Sequence, residues 1–270
     1  MRVSKSGHEI RSVDEWFKYA PPKMGAGHWK DGRSAKELAR SWFRRESACP
    51  PEEMRLLLEG TFRTAIAFDE ANPECIIELD EFKGEHRNCD LVVRCRAGAQ
   101  LITINIEAKA DEPFGDTTVG AYYDQKINSA SNVPKRIERL SVALFGRQPD
   151  ALIRSLRYQL VHSTAATLIE AGANKAEVAV FLVQEFYSAN LSSVKLQQNR
   201  ADWAAFVRAF PELTNAQVEK NQILGPISVP GGGRVRDCIP LYLGSIVSMC
   251  PQPSQQRDDA QSCPDDSAVH

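Results

Sequence analysis

The chain has 270 residues, of which 43% are hydrophobic and 25% are charged, an ordinary composition for a globular protein. Its formal net charge of -2 lacks the basic excess that is typical of nucleic-acid-binding proteins. No apolar run reaches the length of a membrane span, and the first residues lack the apolar core of a signal peptide, so we expect a cytoplasmic protein with no membrane partner. Seven cysteines without Cys-x-x-Cys spacing argue against a zinc site or a disulfide framework.

The first 50 residues are predicted to be a helical extension that packs on the remainder of the chain. A short helix is expected around Val13 to Tyr19, followed by a stop at Pro21-Pro22. Ser34 is a suitable N-cap for a second helix with a basic outer face. The apolar side chains of both helices are assigned to the core and to no chemistry.

Residues 51 to 250 are predicted to form an α/β core, and residues 251 to 270, rich in Pro, Gln, Ser and Asp, a disordered tail. Glu52 and Glu53 follow two prolines, which is typical of a helix start, and this helix is predicted to run to about Ala67. A strand from Cys75 to Leu79 is expected next.

Two β-rich runs then flank Ala97-Gly98-Ala99 and predict an antiparallel hairpin. The first run, Leu91 to Cys95, is preceded by Asp90. The second run, Leu101 to Ile106, leads into Glu107-Ala108-Lys109. Because side chains on a strand alternate between its faces, Glu107 and Lys109 share one face and Ala108 points away.

The register of the hairpin decides where Asp90 lies. If Gly98 and Ala99 are the loop residues, Asp90 lies opposite Glu107. If Ala97 and Gly98 are the loop, Asp90 lies opposite Asn105, and Glu107 is one diagonal step away. In either register, two carboxylates and one ammonium meet at one edge of the hairpin.

Such a cluster can bind a divalent cation. Asp90 and Glu107 offer hard oxygen ligands, and the carbonyl of Ala108 can add a third, which suits Mg²⁺, with Mn²⁺ as a substitute. A metal so held can activate a water and neutralise charge on a phosphate. Lys109 would orient that water or contact the phosphate as a point charge. This spacing is what hydrolysis of a phosphodiester requires.

Asp90, sixteen intervening residues and then Glu107-x-Lys109 resemble the PD-(D/E)xK nuclease superfamily, which has the restriction-endonuclease-like fold. The resemblance covers most of residues 51 to 250, and Cys89 stands where that motif has proline. It implies that Asp90 and Glu107 hold Mg²⁺ and that Lys109 assists the attacking water. It also implies a further acid from the first helix or strand of the core, for which Glu59 and Glu74 are the candidates. We favour Glu74, because it precedes an apolar run as Asp90 does.

The chain after Lys109 is predicted to return through helices to a central strand. Helices are expected at Val119 to Ser129 and Lys135 to Phe145, and then at Ala151 to Ala171 with Asp150 as N-cap. The apolar run Glu177 to Phe186 fits a strand buried on both faces and reached by a crossover.

The resemblance assigns substrate contacts to a helix after the Glu-x-Lys strand. Arg154, Arg157 and Gln159 are therefore the candidates for contacts to nucleic acid. Tyr122, Tyr123 and Gln125 could also approach a substrate, although core packing is the simpler reading for one of the tyrosines. Residues 51 to 90 are acidic and residues 133 to 160 are basic, which fits an acidic metal pocket beside basic helices.

Taken together, these features predict an α/β fold of the restriction-endonuclease-like type, with a mixed central sheet flanked by helices. The predicted function is a Mg²⁺-dependent nuclease that acts on nucleic acid; DNA is the expected substrate, and the sequence leaves DNA versus RNA open. The partner is thus nucleic acid, and a homodimer is compatible with double-strand cleavage. The alternative is a catalytically inactive module of the same fold that binds nucleic acid or a protein partner.

Overall fold

The computed structural model describes residues 1–44, 47–82, 86–187 and 193–250. Within these ranges eight strands form one mixed sheet in the order β2-β1-β3-β4-β5-β6-β8-β7, in which β1–β3, β5–β6 and β6–β8 pair in parallel. The strands are β1 (Arg2–Lys5), β2 (His8–Ile10), β3 (Ile66–Ile77), β4 (Arg87–Ala97), β5 (Gln100–Lys109), β6 (Val178–Tyr187), β7 (Gln222–Ile227) and β8 (Leu241–Met249).

Helices cover both faces of the sheet, so the prediction of an α/β fold with a mixed sheet flanked by helices is confirmed. None of the described helices combines the length and apolar character needed to cross a membrane. The helices are α1 (Val13–Tyr19), α2 (Ser34–Trp42), α3 (Glu52–Phe62), α4 (Val119–Lys126), α5 (Val133–Phe145), α6 (Ala151–Ser155), α7 (Tyr158–Ala173) and α8 (Ser193–Arg208).

Two apolar layers hold these helices to the sheet. One layer contains Trp16, Trp42 and Leu58 from α1, α2 and α3. The other contains residues from α4 to α8, among them Leu160 and Phe206. Each of these five side chains is at most 2% exposed, so both faces of the central strands are buried, which explains their nearly continuous apolar sequences.

The N-terminal segment contains two strands as well as the two predicted helices. The β1–β2 hairpin extends the sheet, because β1 pairs in parallel with β3 through Val3 and Ala71. The helix at Val13–Tyr19 is observed as expected. The second helix begins at Ser34, but Arg33 rather than Ser34 occupies its N-cap position. The predicted disordered tail lies outside the described residues.

The boundary between the first core helix and the first core strand was predicted wrongly. The helix ends at Phe62 instead of near Ala67, because Arg63 adopts a left-handed conformation with φ of 54° that stops it. Strand β3 then starts at Ile66, which pairs with Ala97 of β4. Ile66 fits an inward-facing helix position by its spacing, but its pairing with the distant Ala97 makes it part of a strand instead.

The single helix predicted for residues 151 to 171 is two helices. Leu156 is extended, and its carbonyl accepts a hydrogen bond of 2.9 Å from the N–H of Val119. Arg157 forms an isolated β-bridge with Thr118, which holds the break in place. The break redirects the chain, so that α7 starts beside the end of β5 and lies across it.

Candidate active site

The central sheet divides into two branches where the predicted motif lies. The pairing of β4 with β5 ends at Leu91 and Ile106. Beyond that point β4 continues only along β3, to the pair Arg87–Ile77, and β5 continues only along β6, to Lys109. The hairpin loop is Gly98-Ala99, so the first of the two predicted registers is the observed one. We call this opening between β4 and β5 the fork.

Three carboxylates stand in a row across three strands at the fork. The last β4–β5 pair is Leu91–Ile106, and continuing its register by one residue places Asp90 opposite Glu107. On its other side, Asp90 is in register with Glu74, which lies between the pairs Pro73–Leu91 and Cys75–Cys89. Glu74 has φ of 51°, a left-handed conformation that is uncommon for residues other than glycine and often marks functional sites.

The carboxylate of Glu107 is held by side chains from two directions. Lys109 approaches its Oε1 at 3.0 Å, and Arg87 forms an ion pair with its Oε2 across the fork. From α7, Gln159 Nε2 donates a hydrogen bond of 2.7 Å to Oε1, and Ser163 Oγ donates one of 3.3 Å to Oε2. The Glu107 side chain is only 1% exposed, so these contacts fix it in position.

Glu107 and Lys109 are both charged at neutral pH despite their burial. Burial alone would raise the pKa of Glu107, but Arg87 and Lys109 hold that pKa below its usual value. Burial likewise disfavours the ammonium of Lys109, yet Glu107, Asp90 and Glu112 raise the pKa of the lysine above its usual value. Lys109 is therefore suited to act as a positive charge and hydrogen-bond donor, and it is poorly suited to accept a proton.

Asp90 lies in the fork itself. Its Oδ2 accepts a hydrogen bond of 2.8 Å from the backbone N–H of Ala108, an N–H that no longer pairs with β4. Burial, with Glu107 and Glu74 nearby, raises the pKa of Asp90 to about 8. Burial raises the pKa of Glu74 as well. The Asp90 carboxyl is therefore largely protonated at neutral pH in the absence of metal, and a divalent cation beside it would favour its ionised form.

Oxygen atoms without partners surround the carboxylates. Asn88 donates its amide N–H to Glu74, as Gln159 does to Glu107, and the amide oxygens of Asn88 and Gln159 are buried without a hydrogen-bond partner. Such oxygens are hard donors that suit Mg²⁺ or the waters bound to it. The donor set of the fork therefore fits a hard divalent cation.

The carboxylates are not already arranged around one point. Among the described residues, no group of three or more His, Cys, Asp or Glu side chains is close enough to form a ready metal site. The contacts given above explain this spacing, because Glu107 is drawn to two cations and Asp90 to a backbone N–H. Metal binding at the fork would require the carboxylates to exchange these partners.

The structure brings most of the predicted site residues together and separates the others. Arg154 is paired with Asp124 at 2.7 Å, and Arg157 with Asp202 at 2.8 Å, and neither lines the pocket at the fork. Glu59 pairs with Arg55 on α3, outside that pocket, so Glu74 rather than Glu59 is the acid at the fork. The predicted residues that line this pocket of about 570 Å³ are Glu74, Asp90, Glu107, Ala108, Lys109 and Gln159.

Three side chains that contact the carboxylates of the fork were not predicted from the sequence. Arg87 and Asn88 precede Asp90 on the same strand, and the hairpin argument could have been extended to them. Ser163 lies four residues after Gln159 on α7, so helical spacing could have placed both on one face. No local signal indicated that Arg87 would reach across the fork to Glu107.

We predict that the Arg87→Met substitution lowers the free energy of unfolding by about 3–5 kcal/mol, because it removes one of the two cations from a buried carboxylate. Denaturation in urea would measure the change. The matched control is Arg139→Met, which breaks the exposed pair with Glu81 and should cost less than about 1 kcal/mol. Equal losses in the two variants would contradict the role given to Arg87.

Comparison with known proteins assigns a family and no activity. A family model described as a domain of unknown function matches residues 9–249. No curated protein and no solved structure matches the chain.

Proposed function

This chain belongs to the DUF6946 family, and we propose that it is a divalent-metal-dependent nuclease that hydrolyses phosphodiester bonds of nucleic acid, with DNA as the expected substrate. The observation that carries the proposal is the row of three carboxylates at the fork, with the ammonium of Lys109 beside Glu107 at 3.0 Å. Carboxylates and a cation so gathered match the needs of phosphate chemistry.

We further propose that the core has the restriction-endonuclease-like fold implied by the resemblance described above. The order of its elements supports this: α3, the antiparallel strands β3, β4 and β5, the helix α7, and β6 parallel to β5. The β1–β2 hairpin and the β7–β8 pair extend the same sheet at its two edges. The motif occupies the β4–β5 hairpin, as the resemblance implies.

The metal would be held by Asp90 and Glu107, with the carbonyl of Ala108 and the carboxylate of Glu74 as further oxygen ligands. Mg²⁺, or Mn²⁺ in its place, would supply an activated water and neutralise charge on the phosphate. Arg87, Gln159 and Ser163 do not need to touch the substrate, because they contact Glu107 and keep its carboxylate directed at the fork.

Lys109 has the role of a positive charge at the reacting phosphate. Its Nζ lies at 3.0 Å from Glu107 and 5.7 Å from the centre of the Phe114 ring, so the side chain is fixed beside the carboxylates. A lysine with a raised pKa stays protonated at neutral pH. It can then donate a hydrogen bond to the attacking water or to a phosphate oxygen and stabilise the charge that develops there.

The test is cleavage by the purified full chain. Labelled single-stranded DNA, duplex DNA and RNA are incubated with Mg²⁺, with Mn²⁺ or with EDTA, and products are separated on a denaturing gel. We expect cleavage of DNA with either metal and none with EDTA. Intact substrates under every condition, with folded protein, would overturn the proposal.

A second candidate is favoured by one observation. Both oxygens of Glu107 already have partners, and this arrangement would also suit an inactive nuclease-fold module that binds nucleic acid or a protein partner. Fluorescence anisotropy with the same labelled strands separates the two candidates. Binding that does not respond to metal, without cleavage, identifies the module.

A further inference from the structure

The pocket at the fork has a wall that the motif did not indicate. Residues of the α1–α2 connection and the first turn of α2, between Pro22 and Ala35, are part of its lining, as are residues between Pro113 and Tyr122 and the start of α7. The carboxylates of the fork are part of the same lining. The N-terminal extension thus forms part of the site instead of only packing on the core.

The size of this pocket limits what can reach the carboxylates. Its volume of about 570 Å³ is in the range of roughly 300–1,000 Å³ that encloses a small organic ligand. One or about two nucleotides of a single strand are ligands of that size. A base-paired duplex, with two backbones and stacked pairs, is larger than this volume.

The wall from the N-terminal extension carries positive charge at the mouth of the pocket. Lys23 and Arg33 line the pocket and are exposed to solvent, and His28 lies with them. The fork carries the carboxylates of the same lining, so these exposed cations could bind the phosphates on either side of the reacting one. Lysine and arginine along a groove are the usual contacts to a single-stranded backbone.

The same pocket offers surfaces on which a base can stack. Met24, on the N-terminal wall, is 67% exposed although its side chain is apolar. Tyr122 also lines the pocket and is partly exposed, and its ring packs at 5.1 Å against the ring of the buried Tyr158. Stacking on aromatic faces accepts any base, which favours recognition of an unpaired strand without a fixed sequence.

We propose that the pocket takes an unpaired DNA strand, with its phosphates along Lys23 and Arg33 and a base between Met24 and Tyr122. The inference rests on the proposed function for its chemistry, because it names the substrate class of the same site. Single strands and the unpaired tails of duplexes are then bound and cut, and fully paired DNA is not.

Binding tests this inference independently of cleavage. Fluorescence anisotropy is measured with the wild-type chain in Ca²⁺, a hard cation that takes the same oxygen ligands. The probes are a labelled single strand of mixed sequence, its blunt duplex, and that duplex with an unpaired tail. We expect the single strand and the tailed duplex to bind at least about tenfold more tightly than the blunt duplex. Equal or tighter binding of the blunt duplex would overturn the inference.

A matched pair of variants tests the wall itself. Lys23→Ser/Arg33→Ser should weaken single-strand binding about tenfold and reduce the slope of log affinity against log salt by about 1.4, since each contact to a single strand contributes about 0.7. Lys135→Ser/Lys175→Ser removes the same charge from exposed positions outside the pocket and should change neither quantity. If the two double variants have the same affinity for the single strand and the same salt dependence, the placement of the phosphates along Lys23 and Arg33 would be overturned.

Failure of the inference and failure of the proposed function have different signatures. If the chain binds single strands more tightly than blunt duplex but cleaves neither in the presence of metal, the result contradicts the nuclease activity and supports single-stranded DNA as the ligand. Metal-dependent cleavage of blunt duplex as fast as of single strand supports the activity and overturns the substrate class.

Discussion

Substitution of Glu107 by glutamine is expected to lower the rate of metal-dependent DNA cleavage about a thousandfold or more. Glu107 is the carboxylate on which Lys109, Arg87 and Gln159 converge. Glutamine keeps the size of the side chain and one oxygen acceptor, but it removes the negative charge that would hold the metal. Loss of metal-assisted charge stabilisation costs several kcal/mol at the transition state, which gives a factor of this size.

The substitution also leaves two buried cations without their anion, so the fold has to be checked. Circular dichroism and urea denaturation of Glu107→Gln separate lost activity from lost structure. Asp90→Asn is a second variant with the same expected loss of cleavage and without that charge imbalance. Glu59→Gln removes an acid that pairs with Arg55 outside the pocket and should cut DNA like the wild type. A folded Glu107→Gln with wild-type activity would disprove the assigned site.

The second large effect is on stability in the absence of metal. The pKa of Asp90 is raised to about 8, first by burial and then by Glu107, with a smaller contribution from Glu74, while Arg87 and Lys109 oppose the shift. A carboxyl whose pKa is raised by folding stabilises the fold fully below its unfolded pKa of about 4, and loses that contribution as pH rises toward the folded value. We expect the free energy of unfolding to fall by up to about 1.4 kcal/mol per pH unit within this window.

The effect of Asp90 is best separated from that of His162 and Glu107 between about pH 6.5 and pH 8. Burial lowers the pKa of His162 well below its usual value, so this histidine makes stability rise with pH below about 6.5 and opposes Asp90 there. Glu107, with its lowered pKa, titrates below the window. Urea denaturation in EDTA across this range measures the slope. For Asp90→Asn, the free energy of unfolding should change less with pH, and near pH 8 it should exceed that of the wild type. Equal slopes of the free energy of unfolding against pH in the two proteins would contradict the assignment to Asp90.

The hairpin was predictable because its determinants are local. The residues around Gly98 leave two registers open, with Gly98-Ala99 or Ala97-Gly98 as the loop, and both put Asp90 and Glu107 on the same face. The first register is the one observed. The helix at Val13–Tyr19 and the N-cap at Asp150 are equally local, the latter accepting a hydrogen bond of 2.9 Å from the N–H of Ile153. Short-range patterns of this kind do not depend on the remainder of the fold.

Errors arose where distant segments decide the local conformation. Ile66 fits a helix by spacing, yet its pairing with Ala97 makes it part of β3. Leu156 and Arg157 fit a continuous helix, yet pairing with the segment around Thr118 breaks it. Propensity is a weak preference that tertiary contacts readily override.

The surroundings of the carboxylates were the least predictable part of the site. Arg87 reaches Glu107 only because β4 and β5 separate at the fork. A hairpin predicted from sequence has its strands paired along their whole length, so this separation was not foreseen. The wall formed by residues 22–35 depends on how the N-terminal extension packs, since β1 joins the sheet beside β3. Motif spacing identifies the acids, whereas the fold decides what surrounds them.

Direct measurement of Mn²⁺ binding tests the metal site most sharply. Calorimetric titration of the metal-free chain is carried out above pH 8, where Asp90 is ionised, with Asp90→Asn/Glu107→Gln in parallel. We expect the wild type to bind Mn²⁺ and the folded double variant not to bind it. A folded wild type that binds Mn²⁺ no better than the double variant would contradict this expectation.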